Sequence, residues 1–165
     1  MRYKTCFFIG HREAPESLAK KLAEAIERHI TEYSVNEFVV GGYGAFDRMT
    51  ARQLATAKER HPEINITLLT PYHPSERKIY LPKGFEVSFY PPGMERVPKR
   101  LAIVRANRYM IEHSDYLIAY VWHPASNARE LWTYAQRLES QGRIHIENLA
   151  DKTKRNLQNH SPCNE

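Results

Sequence analysis

The side chains able to do chemistry gather where runs of strand-forming residues stop. Gly10, His11 and Arg12 follow Lys4-Thr5-Cys6-Phe7-Phe8-Ile9; Gly41, Gly42 and Gly44 follow Phe38-Val39-Val40; Thr70-Pro71-Tyr72-His73 follow residues 64–69; and Trp122-His123-Pro124-Ala125-Ser126-Asn127 follow residues 116–121. An imidazole beside a guanidinium at a strand end suits a phosphate or a carboxylate, although such a pair is also ordinary surface. Glycines let backbone approach a ligand closely and take positive φ, and they equally make a plain structural turn. The spacing of Gly41, Gly42 and Gly44 fits neither the Walker pattern, since no Gly-Lys-Ser/Thr follows, nor GxGxxG. Ser126 and Asn127 suit the cap of the next helix, whose free N–H groups also attract anions. One turn into that helix, Glu130 is placed to act as a general acid/base or ribose-hydroxyl acceptor, or merely to complement the helix dipole.

Planar rings stand near several of these ends: Tyr43, Tyr72, Trp122 and Trp132, with His73 and His123. They offer faces on which a base can stack, and some must belong to the core. Arg96, Lys99, Arg100, Arg105 and Arg108 fall within 13 residues that contain no acid, an arrangement that suits phosphates or a solvated helix face. The eight histidines form no HxxxH or HxH pair, so no metal site is expected, and no cofactor is expected either.

The elements that must position these clusters follow from hydrophobic period. The apolar run at 4–9 reads as a strand buried on both faces, the mark of a parallel sheet. Leu18, Leu22, Ala25, Ile26 and Ile30 recur at helical spacing over 15–33. The plan repeats with a strand at 38–40, a helix at 45–60 and a strand at 64–69. Residues 72–98, rich in proline, are expected to be a long excursion with one short strand near 85–90, the kind of segment that forms lids and binding loops. A helix at 99–113, a strand at 116–121, a helix at 127–140 and a strand at 144–146 complete the series. The expected fold is α/β, a single Rossmann-like domain over 1–149 with a mainly parallel sheet of five or six strands. A polar, disordered tail is expected over 150–165.

With 165 residues, 42% hydrophobic and 26% charged, the chain can bury a core but not a second substrate domain. It has no apolar run long enough for a membrane span and no secretory signal, so the cytoplasm is the expected compartment. Cys6 reads as a small core residue and Cys163 as a free tail thiol. The excess of 24 basic over 19 acidic residues lies mostly outside the last fifteen positions.

The segments Phe8-Ile9-Gly10-His11-Arg12, Gly41-Gly42-Tyr43-Gly44-Ala45-Phe46-Asp47, Leu69-Thr70-Pro71-Tyr72 and Asn107-Arg108-Tyr109-Met110-Ile111-Glu112-His113-Ser114-Asp115 resemble the YspA/YpsA-like branch of the SLOG superfamily. That superfamily is Rossmann-like and includes the LOG phosphoribohydrolases, Moco carrier proteins and DNA-processing protein A. The resemblance covers about residues 4–147 and implies a nucleotide-like ligand held by the first glycine turn, the 41–47 loop and the loop after the 116–121 strand. Where relatives carry a Gly-Gly-x-Gly-Thr loop, this chain has His123-Pro124-Ala125-Ser126-Asn127, without glycine. With one inserted residue, Glu130 aligns with the catalytic glutamate of the phosphoribohydrolases. Ala106 stands where those enzymes carry an arginine, flanked by Arg105 and Arg108.

Three readings follow. The first is a binding module, a sensor or carrier of a nucleotide-like small molecule, lined by Gly10, His11, Arg12, Gly41, Gly42, Gly44, Asp47, Ser126 and Asn127. The second is a hydrolase of nucleoside monophosphate N-glycosidic bonds, with Glu130 at the ribosyl centre and Arg105 or Arg108 on the phosphate. The third and weakest is single-stranded nucleic-acid binding through residues 96–108, where aromatics do not interleave with the charges. No membrane partner is expected, and homo-oligomerisation stays open.

Overall fold

The computed structural model describes residues 3–151. Cys163 and nearly all of the tail expected at 150–165 lie outside the described residues. Within them the chain builds β1 (Thr5–Gly10), α1 (Leu18–Thr31), β2 (Glu37–Val40), α2 (Ala45–Arg60), β3 (Asn65–Leu69), β4 (Val87–Phe89), α3 (Ala102–Glu112), β5 (Tyr116–Tyr120), α4 (Asn127–Ser140) and β6 (His145–Asn148). The six strands form one sheet in the order β4-β3-β2-β1-β5-β6. Every pairing is parallel, so the fold is a Rossmann-like α/β domain.

Side chains alternate across a strand, and here both faces are covered. Cys6 and Phe8 of β1 join Phe38 and Val40 in a core closed by Leu22 and Ile26 of α1 and by Phe46, Met49 and Leu54 of α2. Phe7 and Ile9 join Val39, Leu117 and Ala119 in a second core under Ala106 and Met110 of α3 and Leu131, Trp132 and Ala135 of α4. Phe7, Phe8 and Phe38 are fully buried, and burial stabilises each by about 1.5–3 kcal/mol. Cys6 is in this core, and burial raises its thiol well above the ordinary range, which leaves it unreactive.

Several elements begin or end away from the sequence expectation for local reasons. Helix α1 starts at Leu18, after a turn in which Pro15 O accepts the Leu18 N–H at 3.0 Å. The helix expected at 99–113 opens as a tight 3-10 turn, Lys99–Leu101, before α3 takes over. The strand expected near 85–90 is confined to Val87–Phe89, and it pairs in parallel with β3 although no helix intervenes.

From β1 the chain moves outward through β2, β3 and β4, then returns to lay β5 on the other flank of β1, with Gly10 level with Tyr120. The loops leaving β1 and β5 therefore diverge to opposite faces. Such a switch point opens a crevice at the carboxyl edge of a parallel sheet.

Candidate functional site

A cleft of about 540 Å³ occupies that crevice. Its walls are Gly10, His11, Arg12 and Glu13 after β1, Gly41, Tyr43 and Asp47 around the start of α2, and Trp122, His123, Ser126 and Asn127 after β5. Arg100, in the 3-10 turn that leads into α3, and Ile103, Val104 and Asn107 in the first turns of α3 close it. Their spacing, i, i+3, i+4 and i+7, is one helical stripe.

The loop after β1 is locked in place by its neighbours. His11 Nε2 accepts the backbone N–H of Trp122 at 2.9 Å and of His123 at 3.1 Å. Because both partners are donors, Nε2 carries no proton, and the ring ties the β1 loop to the β5 loop across the switch point. Burial, and next the nearby His123, lower the His11 pKa, which keeps the ring neutral. On its other side the loop abuts α2, where the Ala45 N–H donates to Arg12 O at 2.7 Å.

Two glycines make these approaches feasible. A Cβ on Gly10 would lie 2.3 Å from the Phe46 ring, so the missing side chain lets α2 seat Phe46 against the end of β1. Gly44, the N-cap of α2, has φ +108°, and a Cβ there would lie 2.7 Å from Arg12 Cα. Gly42 shows neither constraint: its φ is not positive, and a Cβ there would meet nothing nearer than Leu68 Cδ1 at 3.7 Å.

Asp47 sits in the first turn of α2 and accepts the Tyr43 N–H on Oδ2 at 3.0 Å. It is half-buried and lines the cleft. Desolvation dominates over the Tyr43 hydrogen bond and the charge of Arg48, and pushes the carboxyl up to about 7. A carboxyl with that pKa can exchange a proton near neutrality. At the start of α4, Ser126 Oγ accepts the Arg129 N–H and donates to His123 O, both at 3.2 Å, so the loop without glycine is held by a side-chain cap.

The structure thus brings together Gly10, His11, Arg12, Gly41, Asp47, Ser126 and Asn127. Gly42 lines an adjoining cavity, and Gly44 shapes the turn without lining either space. Glu130, Arg105 and Arg108 are exposed and lie outside the cleft. Arg108 Nε is 3.3 Å from Glu112 Oε1, and its guanidinium lies 4.3 Å over the Tyr134 ring. Trp132 belongs to the core beneath α4. Arg100, expected only as one of a basic run, and Asn107 are cleft residues that the sequence does not assign to the site, and the stripe they share with Ile103 and Val104 is the signal that points to them. Among the described residues no group of three or more His, Cys, Asp or Glu side chains is placed to hold a metal, and no helix is long and apolar enough to cross a membrane.

No family model matches the sequence, and no curated protein sequence matches it. Among solved structures the chain is similar to DNA processing protein A from Helicobacter pylori, a structure described for its single-stranded DNA binding mode. The TM-score is 0.51 at 14% identity, over 94% of this chain and 79% of that one. At this identity the likeness speaks to the arrangement of the parallel sheet and its helices.

Proposed function

We propose that the chain is a binding module for a nucleotide or nucleotide derivative, seated in the cleft between β1 and β5. The carrying observation is the convergence of Arg12, Arg100 and the amino terminus of α4 on one crevice of about 540 Å³ beside the Trp122 ring. Two guanidiniums and a helix terminus suit a phosphate, and the indole suits a base. The motifs shared with the YspA/YpsA-like branch of the SLOG superfamily support the same reading. His11 serves here as a fixed neutral acceptor that sets the cleft's width, and Arg12 beside it meets the anion.

Thermal-shift measurement against a nucleotide panel tests this. A purine nucleotide should raise the melting temperature progressively with concentration, as mass action requires. Arg100→Ala should weaken its binding about 10- to 100-fold, the worth of a charge-assisted hydrogen bond. No response to any nucleotide at about millimolar concentration, where weak binding registers, would remove the reading.

The likeness to a protein that binds single-stranded DNA motivates a second reading. Here the basic segment does not form one stripe: Arg100 faces the cleft, Lys99 Nζ lies 3.7 Å from Glu76, and Arg108 pairs with Glu112. Anisotropy of a labelled single-stranded oligonucleotide decides it, since phosphate-driven binding must weaken steeply with salt.

A further inference from the structure

A second cavity, of about 700 Å³, lies between the outer face of α2 and the excursion after β3. It adjoins the cleft, with Gly41, Tyr43, Asp47, Leu69 and Pro71 contributing to both. Its chemistry is distinct. The lining is mainly apolar, with Ala55 of α2, Leu68 of β3 and Ile79 of the excursion among it. The Arg77 guanidinium lies 4.0 Å over the Tyr72 ring and beside the Tyr43 hydroxyl, so a planar cation joins two aromatic rings at the wall between the two spaces. Arg48, Lys78 and Lys83 add positive charge at the lining, against Glu59 and Asp47. Tyr80, also part of the lining, is 77% exposed, with Lys78 Nζ 5.5 Å from its ring centre.

An apolar chamber with aromatic and guanidinium faces suits a planar ring, and cations at its border suit negative charge entering with that ring. We propose that this cavity is a second compartment of the same site, and that the ligand is made of two planar, nucleoside-like units joined through phosphate. One unit lies in the switch-point cleft and the other under the excursion, with the phosphates passing the Tyr43 wall. This rests on the nucleotide reading above and narrows its ligand class.

Titration calorimetry with AMP, diadenosine diphosphate and the adenosine dinucleotide joined by a sugar-to-sugar phosphate separates the possibilities. A two-unit ligand should bind at least about 10-fold more tightly than AMP, and which of the two does so tells whether a free diphosphate or a strand-like linkage is taken. Arg77→Glu and Arg48→Glu alter exposed side chains. Each should abolish that advantage while leaving AMP affinity unchanged, and agreement between the two guards against a local distortion of the excursion by either. Equal affinity of the wild type for AMP and both two-unit ligands, or an advantage retained in both variants, overturns the second compartment and leaves the cleft standing. Failure of all three ligands to bind is a different result, and it overturns the nucleotide reading together with this one.

Discussion

The fold shifts the His11 pKa down and the Asp47 pKa up, each toward the neutral form. The folded state lowers the His11 pKa from its ordinary 6.5, so its contribution to stability is complete above that value and is lost as the pH falls below it. His29 acts in the same direction. It is fully buried with Nδ1 donating to Ala25 O, and desolvation lowers its pKa. In Asp47→Asn, which removes the opposing titration of that carboxyl, the melting temperature should therefore drop between about pH 7 and about pH 5. His11→Ala should cost about 1–3 kcal/mol, because two backbone N–H groups lose their acceptor, and should flatten this slope in part, leaving the share of His29. An unchanged slope in His11→Ala would refute the assigned role. Asp47 runs the other way: its pKa is raised from 3.8 to about 7, so the fold favours the neutral acid and that preference is lost as the pH rises through about 7. Asp47→Asn keeps an acceptor for the Tyr43 N–H and should melt higher than wild type at about pH 8, with the difference vanishing in acid. Binding of an anionic nucleotide should likewise weaken above about pH 7 in the wild type and not in Asp47→Asn. Calorimetry at two pH values reads both effects.

At the scale of the element, the glycines do more for packing than the spacing of Gly41, Gly42 and Gly44 suggests. Phe46 of α2 occupies the space a Gly10 side chain would take, so Gly10→Ala should destabilise the domain by roughly 1–3 kcal/mol through overpacking. Phe46→Leu in the same chain should recover part of that loss, a coupling that a double-mutant cycle detects. Additive losses would show that Gly10 matters for another reason. The strands and the four helices were legible because their periods are clean: Phe7 and Phe8 alternate across the sheet, and Leu18, Leu22 and Ala25 mark a helix stripe. What periods alone do not show is which glycine meets which neighbour. Spacing treats Gly41, Gly42 and Gly44 alike, yet of the three the positive φ belongs to Gly44, and the tightest contact falls on Gly10, because both depend on how α2 docks on β1. The excursion was legible only as an excursion, since proline forbids regular pairing without saying where the chain goes instead.

At the scale of the whole molecule, strand order decides which chemical groups meet. The order reverses between β1 and β5, and that reversal gathers residues 10, 47, 100 and 126, drawn from across the sequence, around one crevice. Sequence reading found most of these positions because they end strands or start helices, and it named Arg100 only as one of a basic run, because such a run does not reveal its own helical phase. Helix α4 illustrates the same constraint for catalysis. Its phase is set by Ala128, Leu131, Trp132, Ala135 and Leu138, all buried, and by the Ser126 cap, which together turn Glu130 outward. Bringing Glu130 to a ribose in the cleft would require rotating a helix whose apolar face anchors one of the two cores, and general acid/base chemistry requires contact within about 3 Å or through one water. The wild-type protein should therefore release no free base from nucleoside monophosphates, and Glu130→Gln should bind the same nucleotides with unchanged affinity. Chromatographic assay of released base, with calorimetry on both proteins, measures this. Steady release by the wild type that disappears in Glu130→Gln would show that α4 rearranges when ligand binds, and would replace the binding module with a hydrolase.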